Sequence, residues 1–157
     1  MRGRLVFGVG TLAVTLAVGS CKDDVGLTSI PPDPEEFVAF LSGANEPTPV
    51  ATAAQGFAHF TLVGSDTLIY RITLSNIDSA RLAHIHAGPA GVNGGVMVNL
   101  YVPPLPATGL AFSGTLIEDT VVVVDSVLTR MRNGTAYVNV HTVANPGGAI
   151  RGQAFQQ

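Results

Sequence analysis

The sequence predicts an all-β sandwich with one short helix, and three observations carry that expectation. Short runs rich in β-branched and aromatic residues are separated by Gly, Pro, Asn and Asp at spacings typical of antiparallel sandwiches and barrels. Inside several runs apolar and polar residues alternate, the period of a strand buried on one face. Only one stretch, after Asp125-Ser126, repeats its apolar residues at helical spacing.

The candidate strands are Phe37 to Leu41, Gly56 to Val63, Thr67 to Leu74, Arg81 to His86, Val96 to Tyr101, Ala111 to Ile117, Thr135 to His141 and Ala149 to Phe155. In the second, Ala58, Phe60 and Leu62 oppose Phe57, His59 and Thr61. In the third, Leu68, Tyr70, Ile72 and Leu74 oppose Ile69, Arg71 and Thr73. Gly64-Ser65-Asp66 supplies a hairpin turn between these two. Val127, Leu128 and Met131 form the apolar stripe of the helix, with Asp125 or Ser126 expected to cap it and Asn133-Gly134 to end it. The expected core is Phe60, Leu62, Leu68, Tyr70, Ile72, Leu74, Ile85, Val138, Val140 and Ile150.

Ahead of this domain the chain reads differently. Arg2 and Arg4 precede an uncharged run from Leu5 to Val18 and the small residues Val18-Gly19-Ser20, which is the pattern of a signal peptide over residues 1–20. As a helix that run spans roughly 21 Å, short of the ~30 Å hydrocarbon core of a membrane. Val18-Gly19-Ser20-Cys21 resembles the bacterial lipobox, so Cys21, the single cysteine, is the expected lipidation site. Without a second cysteine no intrachain disulfide can form, and stability must come from the core. Residues 21–36 hold five acidic residues and three prolines with little to bury, an extended tether before a domain over 37–157. Removing Arg2 and Arg4 leaves six basic and eleven acidic residues, a net charge of −5. Nucleic-acid binding, which needs Lys and Arg clusters to neutralise phosphate, is excluded as a partner class. The expected location is the cell envelope after export, anchored to a membrane by lipid.

Chemistry gathers at two strands. His84 and His86 share one face of Ala83-His84-Ile85-His86, and Tyr137, Asn139 and His141 share one face of Tyr137 to His141. If Ile85, Val138 and Val140 turn to the core, His84, His86 and His141 gather on an outer surface. Three imidazoles are the number that a copper or zinc site with an open position uses. The competing reading is that each ring is hydrogen-bonded and fixes a loop. His59 is a further histidine on a polar strand face. The glycine-rich run Ala87 to Gly95 either covers the imidazoles or is a plain surface connection. Arg151 is expected to be at least half-buried and to pair with Glu46, unless both are surface residues; Asn145-Pro146-Gly147-Gly148 reads as a turn. No serine sits in a nucleophile-elbow setting and no phosphate-binding glycine motif precedes a helix, so enzymatic activity is not expected.

Four separated motifs, Leu41-Ser42-Gly43-Ala44-Asn45-Glu46-Pro47, Ala83-His84-Ile85-His86, Gly134 to Thr142 and Asn145 to Gln153, resemble the CHRD domain, named after chordin, over about Phe37 to Gln157. The resemblance implies an extracytoplasmic, immunoglobulin-like Greek-key β-sandwich and little about activity. It makes Glu46, Asn145 and Arg151 structural polar residues. Ala149 stands where that family usually has glutamate. A more distant similarity is to copper-zinc superoxide dismutase, whose copper ligands look like His84, His86 and His141. Ala90 stands where that enzyme's bridging histidine would fall and Ala149 where its arginine would, so dismutase activity is not expected. The leading expectation is therefore a binding or structural module for an unknown protein or small ligand. The alternative is a copper- or zinc-binding protein using His84, His86 and His141.

Overall fold

The computed structural model describes residues 33–103 and 111–157. The expected signal peptide, Cys21 and the tether up to residue 32 lie outside the described residues. The fold is all-β with one short helix. Its strands are β1 (Glu35–Ser42), β2 (Gln55–Val63), β3 (Thr67–Asp78), β4 (Ala80–Ala87), β5 (Val96–Tyr101), β6 (Ala111–Val122), β7 (Ala136–Thr142), β8 (Ile150–Gln153) and β9 (Phe155–Gln156), with α1 (Asp125–Arg132) between β6 and β7. β1 begins at Glu35, two residues before the expected strand. Glu35 is held there by two 2.7 Å bonds that Arg132 of α1 donates to its carboxylate. Among the described residues no helix is long and apolar enough to cross a membrane.

Every described pairing is antiparallel, and the hydrogen-bonded order is β5-β4-β7-β8-β1-β2-β3-β6, with β9 added to β1. The sheet curls until β5 and β6 approach each other without pairing, which makes a nearly closed barrel. A sandwich of two separate sheets is thus not what the hydrogen bonding describes. The reason is narrow: β1 pairs with β8 only at Ser42↔Arg151 and with β9 at Phe37↔Gln156 and Val38↔Phe155, and these few pairs join two four-stranded halves.

The alternation read from the sequence sets which side of each strand faces in. Phe37, Phe60, Leu68, Ile72, Ile85, Val138, Val140 and Ile150 have no exposed surface and form the barrel interior with Tyr70 and Leu74. Leu62, also expected in the core, is only partly buried at its edge. The β2–β3 hairpin turns at Gly64-Ser65-Asp66 in the expected register, Val63 opposite Thr67. α1 covers one end with Val127, Leu128 and Met131. Its N-cap is Val124, with no side-chain bond, in place of the expected Asp125 or Ser126. The opposite end of α1 closes as expected, Asn133 donating to Thr129 O and Gly134 to Met131 O.

Candidate functional site

β4 and β7 lie side by side with His84 opposite Asn139, His86 opposite Tyr137 and Leu82 opposite His141. Because Ile85, Val138 and Val140 take the interior, the alternation delivers all three imidazoles to the other side of the sheet. That side is not an outer surface, which corrects the expectation from sequence. All seven residues of β7 are buried, and His84, His86 and His141 are 7%, 8% and 8% exposed. The glycine-rich loop after β4, the segment around Glu46 and the turn at Pro146 roof it over. Strand periodicity says which side a residue takes, but not whether a loop lies on that side.

The roof is built by hydrogen bonds. Arg151, on β8 and 1% exposed, donates to Pro89 O at 2.8 Å, Val92 O at 2.9 Å and Asn93 Oδ1 at 3.4 Å. Gln153 ties Gly88 O and Gly134 O together at 2.8 Å each. Gly94 lies so close to the Ala87 carbonyl that a Cβ there would overlap it, so the loop can seat only with glycine at this point. Gly94 N–H then donates to Tyr137 Oη at 3.1 Å. On the other side a Cβ on Gly148 would lie 2.7 Å from Glu46 Oε1 and 2.8 Å from both amide atoms of Asn139.

The expected Glu46–Arg151 ion pair is not formed. Glu46, 8% exposed, accepts from Asn139 Nδ2 at 2.7 Å, while the Arg151 guanidinium is spent on loop carbonyls and on the Tyr137 ring, 3.3 Å from its centroid. Among the described residues no carboxylate forms an ion pair with Arg151. Burial pulls Arg151 below its usual pKa, opposed by Tyr137 and Glu46, and pushes Glu46 up against the Asn139 bond and the Arg151 charge. Asn145 lies in the turn that sets Pro146: its carbonyl accepts from Thr142 N–H and Gly148 N–H, and its own N–H donates to Thr142 Oγ1.

Backbone carbonyls orient two of the three histidines. His86 Nδ1–H donates to Gly94 O at 3.0 Å and His141 Nδ1–H to Pro146 O at 2.9 Å, which leaves both Nε2 atoms with a bare lone pair. His84 Nδ1 lies 3.1 Å from His141 Nε2 and donates to it in the metal-free tautomer. His86 Nε2 is buried without any partner, as is Asn139 Oδ1. The ligand nitrogens of the three rings all lie within 4.8 Å of one another. A trigonal set at roughly 2.0 to 2.1 Å from a metal puts its nitrogens about 3.5 Å apart, so the widest pair has about 1.3 Å at most to close. His84 is lowered to a pKa of about 4, first by burial and then by the His141 and His86 rings. Burial also lowers His86 and His141, against the bonds to Gly94 and Pro146, with the Arg151 charge adding to the effect on His86. Each of the three shifts favours the neutral ring.

Sequence reasoning named the three histidines, and the fold brings them together. It left out Tyr137 and Asn139 as parts of the site, although both share the His141 face at intervals of two residues. His59 does not join them: it sits on β2, 3.4 Å from Glu36.

A barrel-like antiparallel domain with a roofed, polar outer layer on one half is the class that this fold and site define. The chain belongs to the CHRD domain family, whose model matches residues 37–154. No curated protein and no solved structure gives a match.

Proposed function

We propose that this protein binds a transition metal, copper or zinc, through His84, His86 and His141, and that an exported chain carries the CHRD domain on a lipid anchor at Cys21. The observation that carries the metal reading is His86 Nε2, an orphaned lone pair inside the roof whose ring is locked by Gly94 O. A buried polar atom without a partner costs about 1 to 3 kcal/mol, and a metal would satisfy it. Carbonyl bonds on the far nitrogens of His86 and His141 are the usual outer-shell arrangement of metal-ligating histidine. The reading of the rings as purely structural accounts for two of them but leaves that atom unexplained. Dismutase activity is not part of the proposal, since Ala90 and Ala149 stand where its bridging histidine and arginine would be needed.

The test is thermal unfolding of the purified protein with and without copper or zinc at neutral pH. Ligand that binds only the native state raises its stability by mass action, about 2.7 kcal/mol at a hundredfold excess over Kd. The rise is expected in the wild type and absent in His86→Ala. No rise with metal well above micromolar removes the proposal. The anchor is tested separately by mass spectrometry of the mature protein from its native host, where an unmodified Cys21 would sink it.

A further inference from the structure

We infer that the site selects a monovalent soft cation, copper(I), over divalent ions, and that Arg151 is the residue that sets this preference. The inference rests on the metal-binding reading and adds the charge of the ion. Three features point the same way. The ligand set is three imidazoles, and no carboxylate joins their cluster among the described residues. The surroundings are dry, with His84, His86, Asn139 and His141 all under 9% exposed. The site also already contains a buried cation.

That cation is close. Tyr137 on β7 stands between its neighbours, with the His86 ring from β4 stacked at 4.9 Å and 6° and the Arg151 guanidinium from β8 at 3.3 Å. Two stacking distances therefore separate the guanidinium from a ligand ring. In a low-dielectric interior each further positive charge raises the cost, and an ion of charge two is penalised twice as much by Arg151 as an ion of charge one. Glu46, the one buried carboxylate among the described residues, is engaged by Asn139 and is not paired with Arg151. Even when ionised it offsets only one of the charges. The three-nitrogen set suits the low coordination number of copper(I), whereas zinc(II) would have to bring a water as its fourth ligand into this buried site. To bind through Nδ1, His84 would switch tautomer, its proton moving from Nδ1 to Nε2, so the ring would keep its charge. Arg151 touches neither the metal nor its ligand atoms and acts as a positioning and electrostatic residue.

The experiment is competition titration of the purified protein with copper(I), held reduced without oxygen, against a copper(I) chelator, beside parallel titrations with copper(II) and zinc(II). Copper(I) is expected to bind at least about tenfold more tightly than copper(II), which raises the one-electron potential of the bound couple by about 59 mV over the free ion per tenfold preference. In Arg151→Gln the preference and the potential are expected to fall, and in Arg151→Lys to be largely kept. Equal or tighter binding of copper(II) or zinc(II) by the wild type overturns the inference while leaving metal binding intact. A potential unchanged in a folded Arg151→Gln also overturns it. Absence of binding by every ion overturns both readings. Should Arg151→Gln fail to fold, the wild-type order of affinities decides.

Discussion

β3 and β7 are both interior strands of one sheet, yet they meet their surroundings differently. β3 alternates, with Leu68, Tyr70, Ile72 and Leu74 inside and Ile69 and Arg71 in solvent. β7 is buried along its whole length although every second residue, Tyr137, Asn139 and His141, is polar. The same periodicity thus produces a solvated face in one strand and a second, hydrogen-bonded interior in the other. Loops make the difference: among the described residues nothing lies over Ile69 and Arg71, whereas the glycine-rich loop and the Pro146 turn cover the histidines. A polar strand face is a statement about chemistry, and exposure is decided elsewhere in the chain.

The largest expected effect compares the two arginines. Arg151→Ala strips three acceptors of the roof of their donor and removes the cation on Tyr137, and should cost about 3 kcal/mol or more. Arg71→Ala removes only an exposed ion pair with Glu118, more than half exposed on both sides, and should cost about 0 to 1 kcal/mol. Urea unfolding of both variants measures the contrast, and equal losses would break it.

Acid should also act through the roofed face. A histidine lowered by folding binds its proton more readily in the unfolded chain, so its contribution is present above the unfolded value of about 6.5 and is lost as pH falls toward the folded one. For His84 that window runs from 6.5 to about 4. Stability of the metal-free protein should fall there by about 1.4 kcal/mol per pH unit for each histidine that titrates. Glu46 works against this: its raised value favours the folded state at low pH and that gain disappears as pH rises through it. The net slope should flatten in His84→Gln, as read by thermal unfolding at a series of pH values. An unchanged slope would mean that the rings are not shielded as the structure has them.

A smaller contrast separates the two sides of the sheet. Val140→Ala removes buried methyl groups from the barrel interior and should cost about 1 to 3 kcal/mol, and Val140→Thr would test a buried hydroxyl at nearly constant volume. Ile69→Ala, on a side chain 45% exposed, should stay within about 0.5 kcal/mol. Smallest is Glu35→Gln, which weakens the bidentate pair with Arg132 by about 1 kcal/mol or less, an effect that salt should erase.

Much of this was legible in the residues because strands buried on one side announce themselves. Leu68, Tyr70, Ile72 and Leu74 are readable in this way, and so is the placement of His84, His86 and His141 together on the side opposite Ile85 and Val140. The partners of Arg151 were not. Charge complementarity points to Glu46, whereas the guanidinium binds main-chain carbonyls of Pro89 and Val92, which every residue possesses and no sequence pattern marks. Nor was the joining of the two halves legible, because it depends on the bridge Ser42↔Arg151 and the short pairing of β9 with β1, between strands more than a hundred residues apart.

That distant pairing governs how the chain reaches its folded state. β1, the first strand, takes its neighbours on one side from β8 and β9, the last two. A chain emerging from the ribosome or from a translocation channel therefore cannot complete the sheet until Ile150 to Gln156 are free. Contacts between segments so far apart slow folding, because the intervening loop must be closed before any pairing compensates for it. Until Ile150 to Gln156 arrive, the edges of β1 and β7 stay unpaired and able to join other strands. Deleting residues 150–157 should thus leave an aggregating chain instead of a smaller domain.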